Sequence, residues 1–545
     1  MATSFTHPTY AYRRPPELDG AVRHCATIVV GAGPVGLTVA IDLAQRGLPV
    51  LVLDDDDTVS VGSRAICYSK RTLEILDRLG CGEPIAQKGV GWKVGKVYQG
   101  SDLAYQFDLQ PETGHHRPAF VNLQQYYFEA CLVECAQALP TLEMRWRHKV
   151  VAVAPGDDRV SLTVATDDGD YTLTCDWLVV CDGARSPVRH MLGLDFEGQV
   201  FRDRFLIADI KMSSDYPAER RFWFDPPFHP NQSVLLHRQP DNVWRVDFQL
   251  GWDADPEVEK QPERILPRLR AMLGPDARFE LEWASVYTFQ CRRMQKFRHG
   301  RLLFAGDAAH LVSPFGARGA NSGVQDADNL VWKLALVLRG LAPAALLDSY
   351  DSERVAAADE NLRHSTRSTD FITPKSAISR TFRDAVLSLA RRHAFARTLV
   401  NSGRLSVPAV LARSPLNTAD RDTFAGAMIP GAVAADAPVE GPRGRWLLDH
   451  LGGAFAILCF GDAVDQASVR ALAQAPIPCA VVQIGGAGAQ ALRDTEGLVS
   501  ARYDGRDGTC YLLRPDQHVC ARWRRFDLSD VRAALACATA QMERP

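Results

Sequence analysis

An α/β fold built on a Rossmann-like nucleotide-binding core is predicted by three observations. A short apolar strand, Thr27-Ile28-Val29-Val30, turns through Gly31-Ala32-Gly33-Pro34-Val35-Gly36 into a helical pattern. Strand-forming segments dominate 194–289, between stretches in which strands and helices alternate. Beyond a Pro/Gly/Ala-rich stretch at 426–444, a second and smaller α/β pattern closes the chain. Its 545 residues suffice for several domains and a large core.

The opening residues, MATSFTHPTYAYRRPPELDG, lack the apolar run of a signal peptide and read as an extended surface arm over 1–25. The first part of the nucleotide-binding domain spans 26–193. It holds strands at 27–30 and 50–53, a helix at 71–79, an alternating segment at 94–106 and a helical pattern at 120–138. Further strands fall at 149–153, 161–165, 171–174 and 177–180. A β-sheet domain covers 194–290, with strands at 221–224, 234–237 and 243–250 and one helix at 262–272. The first domain resumes over 291–400, through strand 301–305 and then helices from 324. A linker occupies 401–444. The C-terminal domain, 445–545, has strands at 455–460, 480–484, 509–513 and 519–522 and a closing helix at 529–542.

Composition narrows the function. There are 62 Lys+Arg against 65 Asp+Glu, a formal charge of −3, which lacks the basic footprint of a nucleic-acid binder. No run of about 20 apolar residues exists to span a membrane. The thirteen cysteines are scattered with no C-x-x-C spacing; Cys131 and Cys135, four apart on a helix, read as buried side chains rather than ligands. No metal pattern is present, and a reducing cytoplasm is the expected compartment.

The glycine turn carries the first chemistry. Gly31 permits the tight turn, Gly33 lets backbone approach a pyrophosphate, and Gly36 lets helix and strand pack closely. The helix start offers free N–H groups and partial positive charge to phosphate. Asp54, 23 residues after Gly31 at the end of the second strand, is placed to accept hydrogen bonds from ribose hydroxyls. An acid there favours a 2′-hydroxyl over a 2′-phosphate, hence FAD or NAD. Of the run Asp54-Asp55-Asp56-Asp57 only the first member is so placed. Gly486-Ala487-Gly488 follows a strand, but the next segment breaks at Gly497, so no helix completes a second site.

Three later segments decide between FAD and NAD. Arg301-Leu302-Leu303-Phe304-Ala305-Gly306-Asp307-Ala308-Ala309-His310, followed by Pro314-Phe315-Gly316, resembles the second FAD motif of class A flavoprotein aromatic hydroxylases. Cys181-Asp182-Gly183 resembles that family's DG motif, and Leu347-Asp348-Ser349-Tyr350 with Glu353-Arg354 its downstream helix motif. The resemblance runs over 25–400 and is nearest the 3-(3-hydroxyphenyl)propionate and phenol hydroxylase branch. It implies a glutathione-reductase-like FAD-binding domain with an interleaved β-sheet substrate domain. The tail, with Tyr511-Leu512-Leu513-Arg514-Pro515-Asp516, resembles the branch's thioredoxin-like domain, without a redox C-x-x-C.

By this resemblance FAD is held by Asp54, Arg64, Gln125, Asp182, Asp307 and the loop Gly319, Ala320 and Asn321, besides the three glycines. The family's Gly-Gly-Gln-Gly is replaced here by Gly316-Ala317-Arg318-Gly319, which puts Arg318 near the flavin or a substrate anion, where charge tunes flavin electronics. The implied reaction is NAD(P)H-dependent: reduced FAD and O2 give a C4a-hydroperoxyflavin whose distal oxygen passes to a phenolic ring. The protein positions the ring and excludes water. His237, Tyr287 and Asp247 are candidates to activate the phenolic hydroxyl. Arg245 and Arg221 are candidates for a substrate carboxylate, and Phe222, Trp223 and Phe224 for a ring wall. His310 reads as loop support. A homodimer suits the branch.

Three other readings stay open: a flavin oxidase or epoxidase acting on a larger aromatic or polyketide metabolite, and a non-catalytic flavin-binding redox sensor. A flavin halogenase is disfavoured because none of the ten tryptophans forms W-x-W, and a serine hydrolase because no G-x-S-x-G follows a strand.

Overall fold

A computed structural model describes residues 5–20, 22–62, 64–400, 405, 407–488 and 490–541. Its central sheet is parallel from Leu302–Phe304 through Gly169–Val180, Arg23–Val30 and Val50–Asp54 to Leu142–Trp146. Ile28, Val29 and Val30 pair with Leu51–Leu53 on one side and Leu178–Val180 on the other, wholly within the core. Such continuous β-branched runs belong to strands covered on both faces. The strands expected at 171–174 and 177–180 are one, Gly169–Val180, whose first half forms an antiparallel meander with Val160–Thr166 and Lys149–Pro155. Helix Pro34–Gln45 starts on a proline pre-set for the first helical turn and packs against helix Gly319–Leu338.

A second sheet of eight strands lies above the carboxyl ends of the first. Its order is His310–Leu311, Glu280–Met294, Phe196–Lys211, Val243–Leu250, Ser233–Arg238, Arg220–Phe224, Val94–Gln99 and Asp102–Asp108. The last two strands come from 94–108, inside the segment assigned to the nucleotide-binding domain. They join because Arg220–Phe224 would otherwise be an unpaired edge. The helical pattern expected over 120–138 divides: Phe120–Asn122 is a strand between Cys67–Ser69 and Val90–Trp92, and the helix is Gln125–Gln137.

The arm is described from residue 5, with residues 1–4 and 21 outside the described residues. It is fastened rather than loose: Tyr10 stacks on Trp146 at 4.3 Å, and buried Glu17 pairs with Arg145 at 3.0 Å. Of the expected linker, residues 401–404 and 406 lie outside the described residues. The rest packs along the C-terminal unit, with the Thr418, Gly431 and Ala434 amides donating to the Cys520, Val519 and Gln517 carbonyls. That unit is a four-stranded mixed sheet, Cys479–Ile484, Phe455–Phe460, Cys510–Leu513 and Val519–Trp523, with helices Gln466–Ala473 and Leu528–Ala538. Of the closing helix expected at 529–542, residue 542 lies outside the described residues.

A buried ion network joins this tail to the core. Arg71 donates to Asp328 (2.9 Å), to Gln517 Oε1 (2.7 Å) and to the Asp516 carbonyl (2.9 Å). Arg514 bridges Asp516 and Glu353 (2.6 Å), and Lys333 reaches Glu353 at 2.6 Å. Burial pushes the Lys333 ammonium down to about 8, even beside a carboxylate. Among the described residues no helix is long and apolar enough to cross a membrane.

Candidate active site

A cleft of about 590 Å³ opens where the central parallel strands end, the usual place for ligands in open α/β sheets. Two walls of different construction enclose it.

The lower wall is made of loops and helix starts. Gly31 has φ +103°, and a Cβ there would stand 2.5 Å from the Cys181 carbonyl oxygen; one on Gly36 would stand 1.9 Å from the Gly31 carbonyl oxygen. Both positions therefore require glycine. A Cβ on Gly33 would meet nothing within 4 Å, so this stretch of backbone faces open cleft. Asp54 Oδ2 accepts from the Ala32 amide at 2.5 Å and Oδ1 from the Asp56 amide at 2.9 Å. Burial nevertheless raises its pKa to about 6. Asp182 accepts from the Val188 amide at 3.0 Å, while its Oδ1 is buried with no partner. Asp307 is exposed to the open cleft, and desolvation by the protein around the cleft raises its pKa.

Arg64 and Gln125 also line this wall. Gln125 accepts from the Ala65 amide and donates to Glu129. Gly319 and Ala320 present the N-terminus of a twenty-residue helix to the cleft. Asn321 lines it too, but its side chain ties that helix to the strand Cys67–Ser69. It accepts from the Ser69 amide at 2.8 Å and donates to the Cys67 carbonyl at 2.8 Å. Ala317 takes φ +51°, the left-handed conformation that suits the family's glycine. Arg318 is buried at the cleft and donates to Asn361 Oδ1 at 3.1 Å. His310 is bonded to Asp326 at 2.6 Å and supports the loop. Gly486-Ala487-Gly488 is a turn filled by Asp462, which accepts from the Ala487 amide at 3.1 Å.

The open backbone at Gly33, the helix start at Gly319 and the orphaned Asp182 oxygen together fit a dinucleotide whose phosphates meet amides and whose hydroxyls meet carboxylates. Glycines that crowding forbids to change fit it as well.

The upper wall is one face of the second sheet. Registered across it are Leu235, Asp247, Ile207 and Ser285 in one row and His237, Arg245, Asp209 and Trp283 in the next. His237 faces the cleft, neutral: burial, then Arg220 and Arg245, push its pKa well below 6.5. Tyr287 faces it as a phenol raised by burial to about 12, which suits a hydrogen-bond donor rather than a base at neutral pH. Asp247 carries a buried, unpartnered Oδ1 and a pKa raised by burial to about 6.

Two residues expected at the substrate have other neighbours. Arg245 lines the cleft but forms a bidentate pair with Asp209, 2.7 Å on each arm, so its guanidinium already holds an internal carboxylate. Phe224 shares the face but lies beyond the cleft, 4.6 Å from Phe222 and 5.7 Å from Phe371 under helix Asp348–Ile372. Arg221 points the other way, to Glu219 and over Tyr216. The residue missed is Arg220, buried at the cleft with Nη2 directed at the Phe315 carbonyl at 3.5 Å. Its signal was the alternation Arg220, Phe222, Phe224, all buried, against the half-buried Arg221 and Trp223.

Residues 24–365 match the family model described as the FAD binding domain. A 6-methylpretetramide 4-monooxygenase of Streptomyces rimosus is 31% identical over 96% of this chain and 94% of its own. The chain belongs to the FAD-dependent aromatic hydroxylases. A 3-(3-hydroxy-phenyl)propionate/3-hydroxycinnamic acid hydroxylase of Escherichia coli (strain SMS-3-5 / SECEC) is 31% identical over 68% of this chain and 67% of its own. Among solved structures, the flavin-dependent monooxygenase PieE in complex with FAD and substrate superposes with a TM-score of 0.81. It has 23% identity and covers 95% of this chain and 99% of its own, a likeness of fold. The p-nitrophenol 4-monooxygenase PnpA of Pseudomonas putida DLL-E4 gives 0.63 at 27% identity, over 71% of this chain and 99% of its own. As a member of this family the chain is an oxidoreductase of the flavin monooxygenase class, with FAD as cofactor and NAD(P)H as reductant.

Proposed function

We propose that this cleft hydroxylates a phenolic ring lying against the upper wall, above a flavin held by the lower one. What carries the reading is the pairing of the walls: a dinucleotide cradle faces, across one cleft, a sheet surface of Phe205, Ile207, Leu235 and Phe289 interrupted by a few ionisable groups. Bound FAD supplies hydride acceptance and oxygen activation. The glycine turn and the helix start would bind its phosphates; Asp54 would hold its ribose, Asp182 and Asp307 its hydroxylated chain, and Arg64 and Gln125 would flank it. Gly319, Ala320 and Asn321 orient it through backbone. Arg318 contributes positive charge from the loop. Tyr287 donates to the substrate, His237 closes the wall behind it, and the apolar sheet face excludes water. The net reaction consumes one NAD(P)H and one O2 and leaves one oxygen on the ring and one in water.

The relative spanning 96% of the chain favours a fused-ring polyketide phenol over a single ring. All thirteen cysteines are free thiols, in keeping with a cytoplasmic enzyme. We place the contact of a homodimer on the exposed stripe Ile378, Phe382 and Phe395, which sedimentation of Phe382→Lys against wild type tests.

The deciding experiment is oxidation of NADH and NADPH by FAD-loaded protein with one-ring and fused-ring phenols, with mass analysis of products. Stimulated oxidation with a product heavier by one oxygen is expected. Stimulation without such a product indicates an oxidase or an uncoupling effector. No stimulation by any phenol, with FAD tightly bound, favours the redox sensor.

A further inference from the structure

The upper wall contains one carboxylate that the fold leaves unused. Asp247 lies mid-strand in Val243–Leu250, paired with Ile207 on one side and Leu235 on the other, with Ser285 beyond Ile207. It is the only carboxylate among Leu235, Asp247, Ile207 and Ser285, and its Oδ1 is buried with no hydrogen-bond partner. A buried acceptor left without a partner is costly unless a ligand supplies the missing hydrogen bond. Arg245 gives this oxygen no hydrogen bond: Nε and Nη2 go to Asp209 and Nη1 donates to the Arg64 carbonyl. Arg220 faces the same cleft from the strand beyond Ser233–Arg238, directed at a backbone carbonyl. The other ionisable groups facing this space include neutral His237, protonated Tyr287, the thiol Cys67, and Asp307, Arg64 and Arg318 from the lower wall, with Asp209 behind Arg245.

Resting on the proposed phenol hydroxylation, we propose that Asp247 is the catalytic residue that takes the proton of the substrate hydroxyl, with Arg220 holding the oxyanion that results. Arg220, facing the same space, favours the ionised form of the substrate hydroxyl before oxygen attacks the ring. The substrate O–H bond breaks, an O–H bond forms on Asp247 Oδ1, and the electron pair stays on the substrate oxygen, from which it activates the ring. The proton leaves to water when product departs, so the carboxylate is regenerated and no further reactant is needed. The site therefore selects substrates with a free hydroxyl on the attacked ring and rejects their methyl ethers.

The test is Asp247→Asn, which keeps shape and removes the base. The expected result is unchanged FAD content and flavin spectrum, with product formation about 10²–10⁴-fold slower. Asp247→Glu should restore part of the rate. Wild-type kcat should fall as pH drops through about 6, the value to which burial raises this carboxyl. That acid limb should vanish for phenols acidic enough to be ionised throughout the range. Hydroxylation by Asp247→Asn within twofold of wild type overturns the assignment. So does an acid limb that persists with ionised phenols when FAD is kept saturating at every pH, a readout on wild type that stands even if the variant does not fold. Failure of wild type to hydroxylate any phenol instead overturns the proposed function on which the assignment rests.

Discussion

The two walls of the cleft solve opposite problems. The lower wall binds with backbone: amides at a glycine turn and a helix start, placed where side chains are excluded. The upper wall binds with side chains on a rigid sheet, where alternation and register decide which residue faces inward. A backbone site tolerates change poorly at its glycines and well around them. A sheet site can exchange its inward residues one at a time, which suits a scaffold that meets different rings above one unchanging flavin.

The largest effect should fall on the upper wall. Arg245→Met leaves Asp209 buried without its partner, and we expect about 3–5 kcal/mol loss of stability in denaturant melts. Asp209→Leu in the same chain should recover most of it. An Arg245→Met protein of wild-type stability with a raised substrate KM would restore Arg245 as a substrate clamp and erase the contrast between structural and inward charges drawn here.

Next is the lower wall. A methyl on Gly36 drives into the Gly31 carbonyl, so Gly36→Ala should cost about 1–3 kcal/mol by overpacking. It should also weaken FAD affinity at least tenfold by fluorescence titration. Retention of full affinity would mean that helix and strand separate without disturbing the phosphate turn.

Smaller is the pH response of Asp54. Its ionised form accepts ribose hydroxyls best, so FAD affinity should decline as pH falls through about 6, by up to about tenfold per unit. In the apoprotein the sign reverses. The folded state holds this proton more tightly than the unfolded chain, so the contribution favours the fold below the ordinary carboxyl range and is lost as pH rises through about 6. FAD affinity independent of pH from 5 to 8 would remove Asp54 from the ribose. The smallest change is Ala317→Gly, which should stabilise by up to about 1 kcal/mol, read as a higher Tm, by relieving a left-handed alanine.

The lower wall was largely legible in the sequence because its chemistry is local. Glycines 31, 33 and 36, Asp54 and the segment 301–316 announce themselves through spacing. Even there, the side chain of Asn321 proved to be tied to strand Cys67–Ser69, a contact over 250 residues that no local pattern encodes. The upper wall was legible only as strands. Whether Arg220 or Arg221 faces inward is a matter of one residue of register, and Phe224 left the cleft only because helices from 348–390 cover that part of the face. The 94–106 segment was legible only as alternating, and its sheet was not, for a related reason: its partner, Arg220–Phe224, lies more than a hundred residues away.

The ion network around Arg71, Glu353 and Arg514 bears on how such chains can be recombined. An exchanged C-terminal domain brings Arg514, Asp516 and Gln517 with it but leaves Arg71, Lys333 and Glu353 behind. A chimera joined at 407–410 would therefore bury mismatched charges in the seam, however well its sheets matched. Viable crossovers must carry all of these residues, Asp328 included, from a single parent, which makes this tail a co-inherited part of the flavin-bearing core and not a removable accessory.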